Sequence, residues 1–402
     1  MAAQSNWEEV TLVAEGMAFL GECIARQEGK VVFVPYLVPG ERARIKLVTD
    51  KRGYARGEVV EVLEASPDRV SPPCRYFGTC SGCTWQHIAY ERQLELKREV
   101  VAEQLRRIGK LGDVEVLPTV PSPSPWEYRN HARFTVNPAG HLGYVQRRTR
   151  RFLEIEECRI MDARINRALA RLQGLCTGET QVNVRVGRSA EALQVQPALK
   201  DAAAPVESGQ AWLEEELHGR RFRISAPSFF QVNRGVAERL VDLVVAAVQP
   251  RADQRVLDVY AGVGTFGVFL APLVAEVTCI EESAAAMADA RLNVEGIGNI
   301  RLLKGRVEKL LPELEGPVDA AILDPSRTGC SPRVLEALAR LEPARLVYVS
   351  CDPATLARDL RHLCDLGYAI VSVQPLDMFP QTYHVEVVTV LQRGSLSGES
   401  KS

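Results

Sequence analysis

The segment from Val256 to Gly267, VLDVYAGVGTFG, constrains the fold of this 402-residue chain more than any other. Its first residues suit a buried strand, and Gly262, Gly264 and Gly267 then follow in the spacing G-x-G-x-x-G. Glycine lets the backbone turn tightly and approach a cofactor closely, and such loops join a strand to a helix in nucleotide-binding βαβ units. The segment therefore predicts a strand, a glycine loop and a helix within an α/β domain.

The chain around this loop alternates between helical and strand patterns from about residue 227 onward. The predicted helices include 233–248, 265–273 and 284–295. The predicted strands are 254–260, 275–281, 300–304, 318–323, 345–350, 368–374 and 385–392. This alternation predicts a doubly wound parallel sheet, which we assign to a domain spanning residues 226–395 and followed by a tail at 396–402.

Residues 7–64 have a different pattern, in which short apolar or β-branched segments are separated by glycine and proline. About five strands in so short a stretch predict a small β-barrel of the oligonucleotide-binding (OB) type, within a domain covering residues 1–66. An unspecialised β-domain is the alternative. The prolines between Pro67 and Pro73 mark the boundary of this domain.

Residues 67–225 form the predicted central domain, with strand-like pieces between Ala132 and Val195. A strong helix is predicted at 89–109, and we expect it to pack on the domain that begins at residue 226. The four prolines from Pro118 to Pro125 predict a linker or an extended crossing segment.

The composition excludes several classes of protein. Hydrophobic residues are 46% and charged residues 25%, which is ordinary for a soluble globular chain and excludes a disordered or collagen-like one. The longest uncharged stretch, 259–275, is interrupted by glycine and proline and is shorter than the roughly 20 residues of a membrane-spanning helix. Ten cysteines are too sparse for a secreted disulfide scaffold. We expect a cytoplasmic protein with no membrane partner, and a monomer.

Two acidic residues indicate which cofactor the glycine loop binds. Glu281 ends the next predicted strand, where its carboxylate can bind ribose hydroxyls. Asp258 lies directly before the loop, where it would repel the pyrophosphate of a dinucleotide but attract the ammonium group of S-adenosylmethionine. We therefore predict S-adenosylmethionine, with a dinucleotide or a purely structural loop as the alternatives.

Cys351 is the predicted nucleophile, because it follows the strand 345–350 and so lies at the carboxyl edge of the sheet. The C5 carbon of a pyrimidine is a poor nucleophile, but attack of a thiolate at C6 converts the ring to an enolate whose C5 accepts a methyl group. Ser326 stands where RNA cytosine-5 methyltransferases carry their nucleophilic cysteine. The alternative is that Cys351 is one more small buried residue.

Glu386 is the predicted general base that removes the C5 proton, because it opens the mostly apolar strand 385–392. The alternative is an ordinary charge at the start of a strand. Since this chemistry cannot reach a stacked base, the target uridine must be unpaired or flipped out of its helix.

Four cysteines form a separate cluster in the central domain: Cys74, Cys80, Cys83 and Cys158. Four thiolates can hold zinc or an iron–sulfur cluster, although this spacing fits neither a zinc ribbon nor a simple finger. Reduced structural cysteines are the alternative.

The formal net charge of −2 requires any nucleic-acid partner to be held by local basic patches. Six arginines and one acid between Pro125 and Arg151 form such a patch, in which Arg147, Arg148, Arg150 and Arg151 flank a predicted strand. This patch predicts an RNA-binding surface, with a solvated charged face as the alternative.

Together these motifs resemble the RNA uracil-5-methyltransferase family over residues 7 to 392. The segment SCDPATLARD at 350–359 is similar to the nucleophile motif of the family, FPQTYHVE at 379–386 to its general-base motif, and PSFFQVN at 227–233 to the start of its catalytic domain. The stretch VPGERARI at 38–45 is similar to the TRAM domain, an RNA-binding barrel.

The resemblance implies a class I S-adenosylmethionine-dependent fold, with Cys351 as nucleophile and Glu386 as base. The implied cofactor-binding residues are Gln231, Tyr260, Glu281 and Asp324. The ribosomal-RNA members carry a four-iron, four-sulfur cluster, which implies [4Fe-4S] on Cys74, Cys80, Cys83 and Cys158. Gln381 and Arg306 depart from the pattern, because some members have histidine at the first position and an amide or acid is commoner at the second.

We therefore expect methylation of a uridine at C5 in 23S ribosomal RNA. The closest alternative is a transfer-RNA T-loop uridine methyltransferase, whose bacterial form typically lacks the barrel and the cysteine cluster. A non-catalytic RNA-binding assembly factor and a dinucleotide-dependent oxidoreductase are more distant alternatives.

Overall fold

The computed structural model describes residues 9–200 and 205–394. The predicted tail at 396–402 lies outside these residues. The ten cysteines all lie within them and are free thiols. None of the helices in the described residues combines the length and the apolar character needed to cross a membrane.

The amino-terminal region is a closed five-stranded barrel, as predicted. Its strands are β1 (Glu9–Met17), β2 (Cys23–Gln27), β3 (Lys30–Val34), β4 (Arg42–Asp50) and β5 (Tyr54–Glu64), paired in the order β1-β2-β3-β5-β4. Ala43, Ile45 and Leu47 alternate with exposed charged residues along β4, so one face of the strand fills the barrel. The alternation that predicted strands therefore also defines the barrel interior.

Helix α1 (Tyr90–Arg107) follows the barrel and contacts the α/β domain. It packs on the helix at residues 353–365 and on the strand at 368–376 that follows this helix. Val101 and Leu105 lie in the same apolar core as that part of the sheet. The proline-rich segment then runs along the sheet edge, where Leu117 and Val120 donate backbone hydrogen bonds to Val373 and Pro375.

The central domain is built on a five-stranded antiparallel sheet of order β10-β9-β6-β7-β8. Its elements are β6 (His131–Val136), β7 (Leu142–Val145), β8 (Phe152–Glu154), α2 (Ala163–Leu172), β9 (Gln181–Val186) and β10 (Leu193–Gln196). Helix α2 was not predicted, although the Asp162 carboxylate caps it by accepting a hydrogen bond from the Arg164 amide. Ile165 and Leu169 on its apolar face pack in the core beneath the sheet.

A two-stranded hairpin, β11 (Trp212–Leu217) and β12 (Arg220–Ser225), links the central domain to the α/β domain. Leu213 and Phe222 from this hairpin lie in the apolar core of the α/β domain. The hairpin was grouped with the central domain by sequence, but its apolar face is covered by the neighbouring helices.

The α/β domain confirms the predicted alternation to within a few residues. Its helices are α3 (Arg234–Val248), α4 (Thr265–Leu270), α5 (Ala284–Asn293), α6 (Val307–Leu310), α7 (Pro332–Arg340) and α8 (Pro353–Asp365). Its strands are β13 (Arg255–Val259), β14 (Glu276–Glu281), β15 (Ile300–Lys304), β16 (Ala320–Leu323), β17 (Arg345–Ser350), β18 (Tyr368–Leu376) and β19 (Glu386–Arg393).

The seven strands form one sheet of order β15-β14-β13-β16-β17-β19-β18, which corrects the expectation of a wholly parallel sheet. Strand β19 inserts between β17 and β18 and runs antiparallel to both. The chain between β18 and β19 is too short for the crossover helix that a parallel arrangement requires. The last two strands therefore pair as a hairpin.

A fully buried ion pair fastens α1 to the start of the loop between β18 and β19. The Lys97 ammonium donates to the Asp377 carboxylate, and both side chains are 0% exposed. The same ammonium donates to the carbonyl of Phe379 at 3.1 Å. Burial of two charges costs solvation energy that the pair offsets only while both partners are present.

We expect Lys97→Met to lower the free energy of unfolding by about 3–5 kcal/mol, because it leaves the Asp377 charge buried without a partner. The double variant Lys97→Met/Asp377→Leu removes both charges and is expected to recover part of this loss. Urea unfolding followed by circular dichroism measures both. Equal destabilisation in the single and double variants would contradict this account.

Candidate active site and cysteine cavity

The glycine loop after β13 has the backbone that its sequence predicts. Gly262 and Gly264 adopt positive φ angles of 57° and 86°, and Tyr260 also lies in the left-handed region at 66°. A Cβ atom on Gly267 would lie 2.8 Å from the Cys279 sulfur, so this position has no room for a side chain. The loop therefore brings backbone amides to the carboxyl edge of the sheet.

Carboxylates surround this loop. Glu281 accepts hydrogen bonds from the amides of Gly262 at 2.9 Å and Ser283 at 2.6 Å. Asp258 is fully buried, and one of its oxygens accepts from the Gly267 amide while the other has no partner among the described residues. Burial and the nearby Asp324 charge raise the pKa of Asp258 to about 7.

The remaining predicted cofactor residues lie along the same edge of the sheet or beside it. Asp324 directly follows β16, and burial raises its pKa to about 7. Tyr260 contacts Cys330, while the backbone carbonyl of Gln231 accepts a hydrogen bond from the Asn130 amide group. These acidic groups create a negative site that suits a cationic ligand.

Cys351 and Glu386 meet because β17 and β19 pair antiparallel. The register pairs Ser350 with Val387, so Cys351, one residue later, lies at the level of Glu386. Burial raises the pKa of the Glu386 carboxyl well above its usual range, and the Asp324 charge adds to this effect. Burial and the Glu386 charge likewise raise the pKa of the Cys351 thiol to about 11.

Arg327 completes this pair and was missed by sequence reasoning. Its positive charge lowers the pKa of both the Cys351 thiol and the Glu386 carboxyl, against the larger effect of burial. Helix α8 holds the loop that carries Arg327, because the Thr355 hydroxyl donates to the Arg327 carbonyl at 3.2 Å. The sequence offered one indication of Arg327: it lies three residues after Asp324, at the end of a central strand where site residues are expected.

The four clustered cysteines line one cavity of about 310 Å³, which extends to Arg327 and His384 beside the active site. The Tyr144 hydroxyl is buried next to Cys158, Cys80 and Cys83 and has no hydrogen-bond partner among the described residues. Within residues 9–200 and 205–394, no group of three or more His, Cys, Asp or Glu side chains is arranged to share one metal ion. The four thiols that line this cavity are a donor set that iron–sulfur clusters use.

The predicted basic patch joins the central domain to the barrel. Arg148 donates to Glu58 of the barrel at 2.8 Å, and the guanidinium of Arg147 lies 3.7 Å from the Glu22 carboxylate and stacks over Tyr36. Two of the four arginines are therefore engaged in ion pairs between domains, and RNA binding by this patch stays a prediction.

The two departures from the family pattern have different surroundings. Arg306 precedes α6 as an exposed residue, 3.6 Å from Glu308 and 3.9 Å from Glu282. Gln381 is buried and hydrogen-bonds to Gln93 of α1.

The glycine loop, its surrounding carboxylates and the seven-stranded sheet with an antiparallel β19 define a class I S-adenosylmethionine-dependent methyltransferase fold. The family model for the TRAM domain matches residues 8–60. The family model described as tRNA (Uracil-5-)-methyltransferase matches residues 189–317 and 315–394. The chain belongs to the RNA uracil-5-methyltransferase family and is an RNA methyltransferase.

Relatives match over nearly the full chain. An uncharacterised RNA methyltransferase of Thermosynechococcus vestitus is 36% identical, covering 96% of this chain and 99% of that protein. One of Gloeobacter violaceus is 35% identical, covering 96% of this chain and 97% of that protein. The crystal structure of the Pyrococcus abyssi tRNA (uracil-54, C5)-methyltransferase with S-adenosyl-L-homocysteine has a TM-score of 0.74 and 27% identity, covering 95% of this chain and 100% of that one.

We expect the affinity for S-adenosylmethionine to rise from pH 6 to pH 7.5 by about eightfold for each carboxyl group that must ionise, because a carboxyl group with a pKa of about 7 ionises over this range. The ionised forms of Asp258 and Asp324 attract the cationic cofactor, whereas the protonated forms at pH 6 do not. Isothermal titration calorimetry measures the dependence. S-adenosylhomocysteine lacks the sulfonium charge and serves as the control with a shallower slope; a pH-independent affinity would contradict the proposal.

Proposed function

We propose that this protein methylates C5 of a uridine in RNA by covalent catalysis, with Cys351 as nucleophile and Glu386 as general base. The observation that carries the proposal is the register of β17 and β19, which brings a thiol and a buried carboxyl group together at the carboxyl edge of the sheet. Active sites of doubly wound folds lie at this edge.

The first step is attack of the Cys351 sulfur on C6 of the uracil ring. A thiol with a pKa of about 11 is almost wholly protonated at neutral pH, so Cys351 must release its proton to solvent as the sulfur attacks. Arg327 supports this step, because its positive charge lowers the pKa of the thiol and stabilises the negative sulfur. The resulting enolate has its electron density at C5.

S-adenosylmethionine, when bound, supplies the methyl group and the positive charge of its sulfonium. We propose that four residues hold it: Tyr260, Glu281, Asp324 and Gln231.

After methyl transfer, the C5 carbon carries both a hydrogen and a methyl group. Glu386 removes this proton, the C5–C6 double bond re-forms, and the bond between C6 and the Cys351 sulfur breaks. The raised pKa of the Glu386 carboxyl makes its ionised form a stronger base for this step.

We also propose that Cys74, Cys80, Cys83 and Cys158 hold a [4Fe-4S] cluster. The shared cavity of about 310 Å³ and the unpaired Tyr144 hydroxyl beside three of these sulfurs support it. Hydrogen bonds to cluster sulfurs are common in such sites. No electron acceptor is required by uridine methylation, so we assign the cluster a role in folding or RNA docking.

The proposed substrate is 23S ribosomal RNA, on the basis of the proposed cysteine cluster. A transfer-RNA T-loop uridine is the second candidate. It is favoured by the similarity to the Pyrococcus abyssi enzyme, a transfer-RNA methyltransferase that this chain matches over its full length. Because 95% of this chain takes part in that match, the barrel by itself does not discriminate between the two RNAs.

Purified protein is expected to release tritium from [5-³H]uridine in 23S ribosomal RNA, and less or none from transfer RNA. Cys351→Ala removes the nucleophile and should abolish both tritium release and covalent binding. Glu386→Gln retains the nucleophile but cannot remove the C5 proton, so it should accumulate a covalent protein–RNA adduct that survives denaturation. Gel electrophoresis and tritium release measure the two outcomes.

Release from transfer RNA alone would reverse the substrate assignment. Release from neither RNA by the unaltered protein, or full release by Cys351→Ala, would overturn covalent catalysis.

Anaerobically purified protein should contain about four iron atoms per chain, because four thiolates ligate one [4Fe-4S] cluster. Cys80→Ser should lose iron and the visible absorption of the cluster, whereas Cys364→Ser, at a cysteine on α8, should retain both. Iron analysis and absorption spectroscopy measure this. An iron-free protein with a stable fold, or zinc in place of iron, would contradict the cluster.

A further inference from the structure

The loop between β18 and β19, residues 377–385, leads directly into Glu386 and is held in a strained conformation. Gln381 at its centre is 3% exposed and has a φ of 68°, in the left-handed region that residues with a Cβ atom rarely adopt. Such a conformation costs about 1–3 kcal/mol and persists only where surrounding contacts impose it. The contacts of this loop therefore help to set the position of the Glu386 backbone, which directly follows the loop.

Gln93 on α1 makes a reciprocal pair with Gln381. The Gln381 amide donates to the Gln93 side-chain oxygen at 3.0 Å, and the Gln93 side-chain nitrogen donates to the Gln381 side-chain oxygen at 3.0 Å. Gln93 is 0% exposed and also donates to the carbonyls of Trp85 and Ile88. It thus joins the loop to the segment that precedes α1.

Residues 84 and 85, in the segment before α1, also bind the loop directly. The backbone amides of Thr84 and Trp85 both donate to the Gln381 carbonyl, at 3.1 and 3.0 Å. The Tyr383 amide donates to the Thr84 hydroxyl at 3.2 Å. Thr84 directly follows Cys83. Residues 74–83, which carry Cys74, Cys80 and Cys83 and are called the cysteine segment here, are therefore connected to the loop 377–385 through Thr84.

The other side of the loop faces the cysteine cavity. Phe379, Thr382 and His384 line this cavity together with the four clustered cysteines. The loop is therefore enclosed between α1 and the cysteine segment. Cys351, in contrast, belongs to a different part of the chain. It lies between the end of β17 and the start of α8, and the Asp352 side chain caps that helix.

We propose that Gln93 and Thr84 are positioning residues for Glu386, so that removal of the C5 proton depends on the cysteine segment while attack by Cys351 does not. This inference rests on the proposed covalent mechanism. It predicts an effect on one step: when the loop relaxes, Glu386 moves away from C5, but the nucleophile remains in place. Misplacement of a reacting group by about 1 Å can cost about 100-fold in rate.

The test uses the full chain with Gln93→Leu, which removes both hydrogen bonds to Gln381, together with those to the Trp85 and Ile88 carbonyls, and leaves an apolar side chain in the buried site. We expect tritium release to fall about 10- to 100-fold in kcat with little change in KM. The covalent protein–RNA adduct should accumulate, and it should contain the transferred methyl group from [¹⁴C-methyl]S-adenosylmethionine. Gln104→Leu makes the same change on α1 at a residue with no side-chain bond to this loop, and should behave as the unaltered protein.

Thr84→Val provides a smaller change that removes only the bond to the Tyr383 amide, and it should raise the ratio of adduct to released tritium in the same direction. An equal fall in adduct formation and tritium release in both Gln93→Leu and Thr84→Val would overturn the inference, since a general loss of structure affects both steps. Glu386→Gln, run in parallel, separates the two proposals. If it accumulates adduct and the two positioning variants do not, only this inference fails; if it also forms none, the covalent mechanism fails with it.

Discussion

Antiparallel insertion of β19 between β17 and β18 is the constraint on which the proposed active site depends. Backbone hydrogen bonds across this pairing fix the register in which Ser350 lies opposite Val387. A slip of one residue would turn every side chain of β19 to the other face of the sheet and would remove Glu386 from Cys351. The sheet register therefore determines that Glu386 lies at the level of Cys351, and the loop before β19 contributes to where its carboxyl group lies.

The electrostatics of the site follow from burial. Asp258, Asp324 and Glu386 lie near one another in a region from which water is largely excluded, and this raises the pKa of all three carboxyl groups. A cation that enters such a site is bound favourably, because its positive charge lowers the pKa of the buried carboxyl groups and stabilises their ionised forms. The exposed guanidinium of Arg327 opposes this trend by lowering the pKa of Cys351, for which the proposed mechanism requires a negative sulfur.

Three regions of the chain meet at the loop that leads to Glu386. Helix α1 binds it through Gln93 and Lys97, the cysteine segment binds it through Thr84, and the barrel contacts it where Gly21 has no room for a side chain beside Tyr383. The domains are thus joined at the loop that leads to the proposed catalytic base. RNA bound by the barrel or the central domain would be bound by parts that also hold the base.

The barrel, the alternating α/β domain and the glycine loop could be predicted from the sequence, because alternation, turn residues and glycine spacing are local properties of the chain. The sequence also identified Cys351, Glu386 and Asp324 as residues at strand ends. It did not reveal the antiparallel β19, the capped helix α2 or the contacts of Arg327 and Gln93. These depend on residues far apart in sequence, such as Gln93 and Gln381, which only the tertiary structure brings within hydrogen-bonding distance.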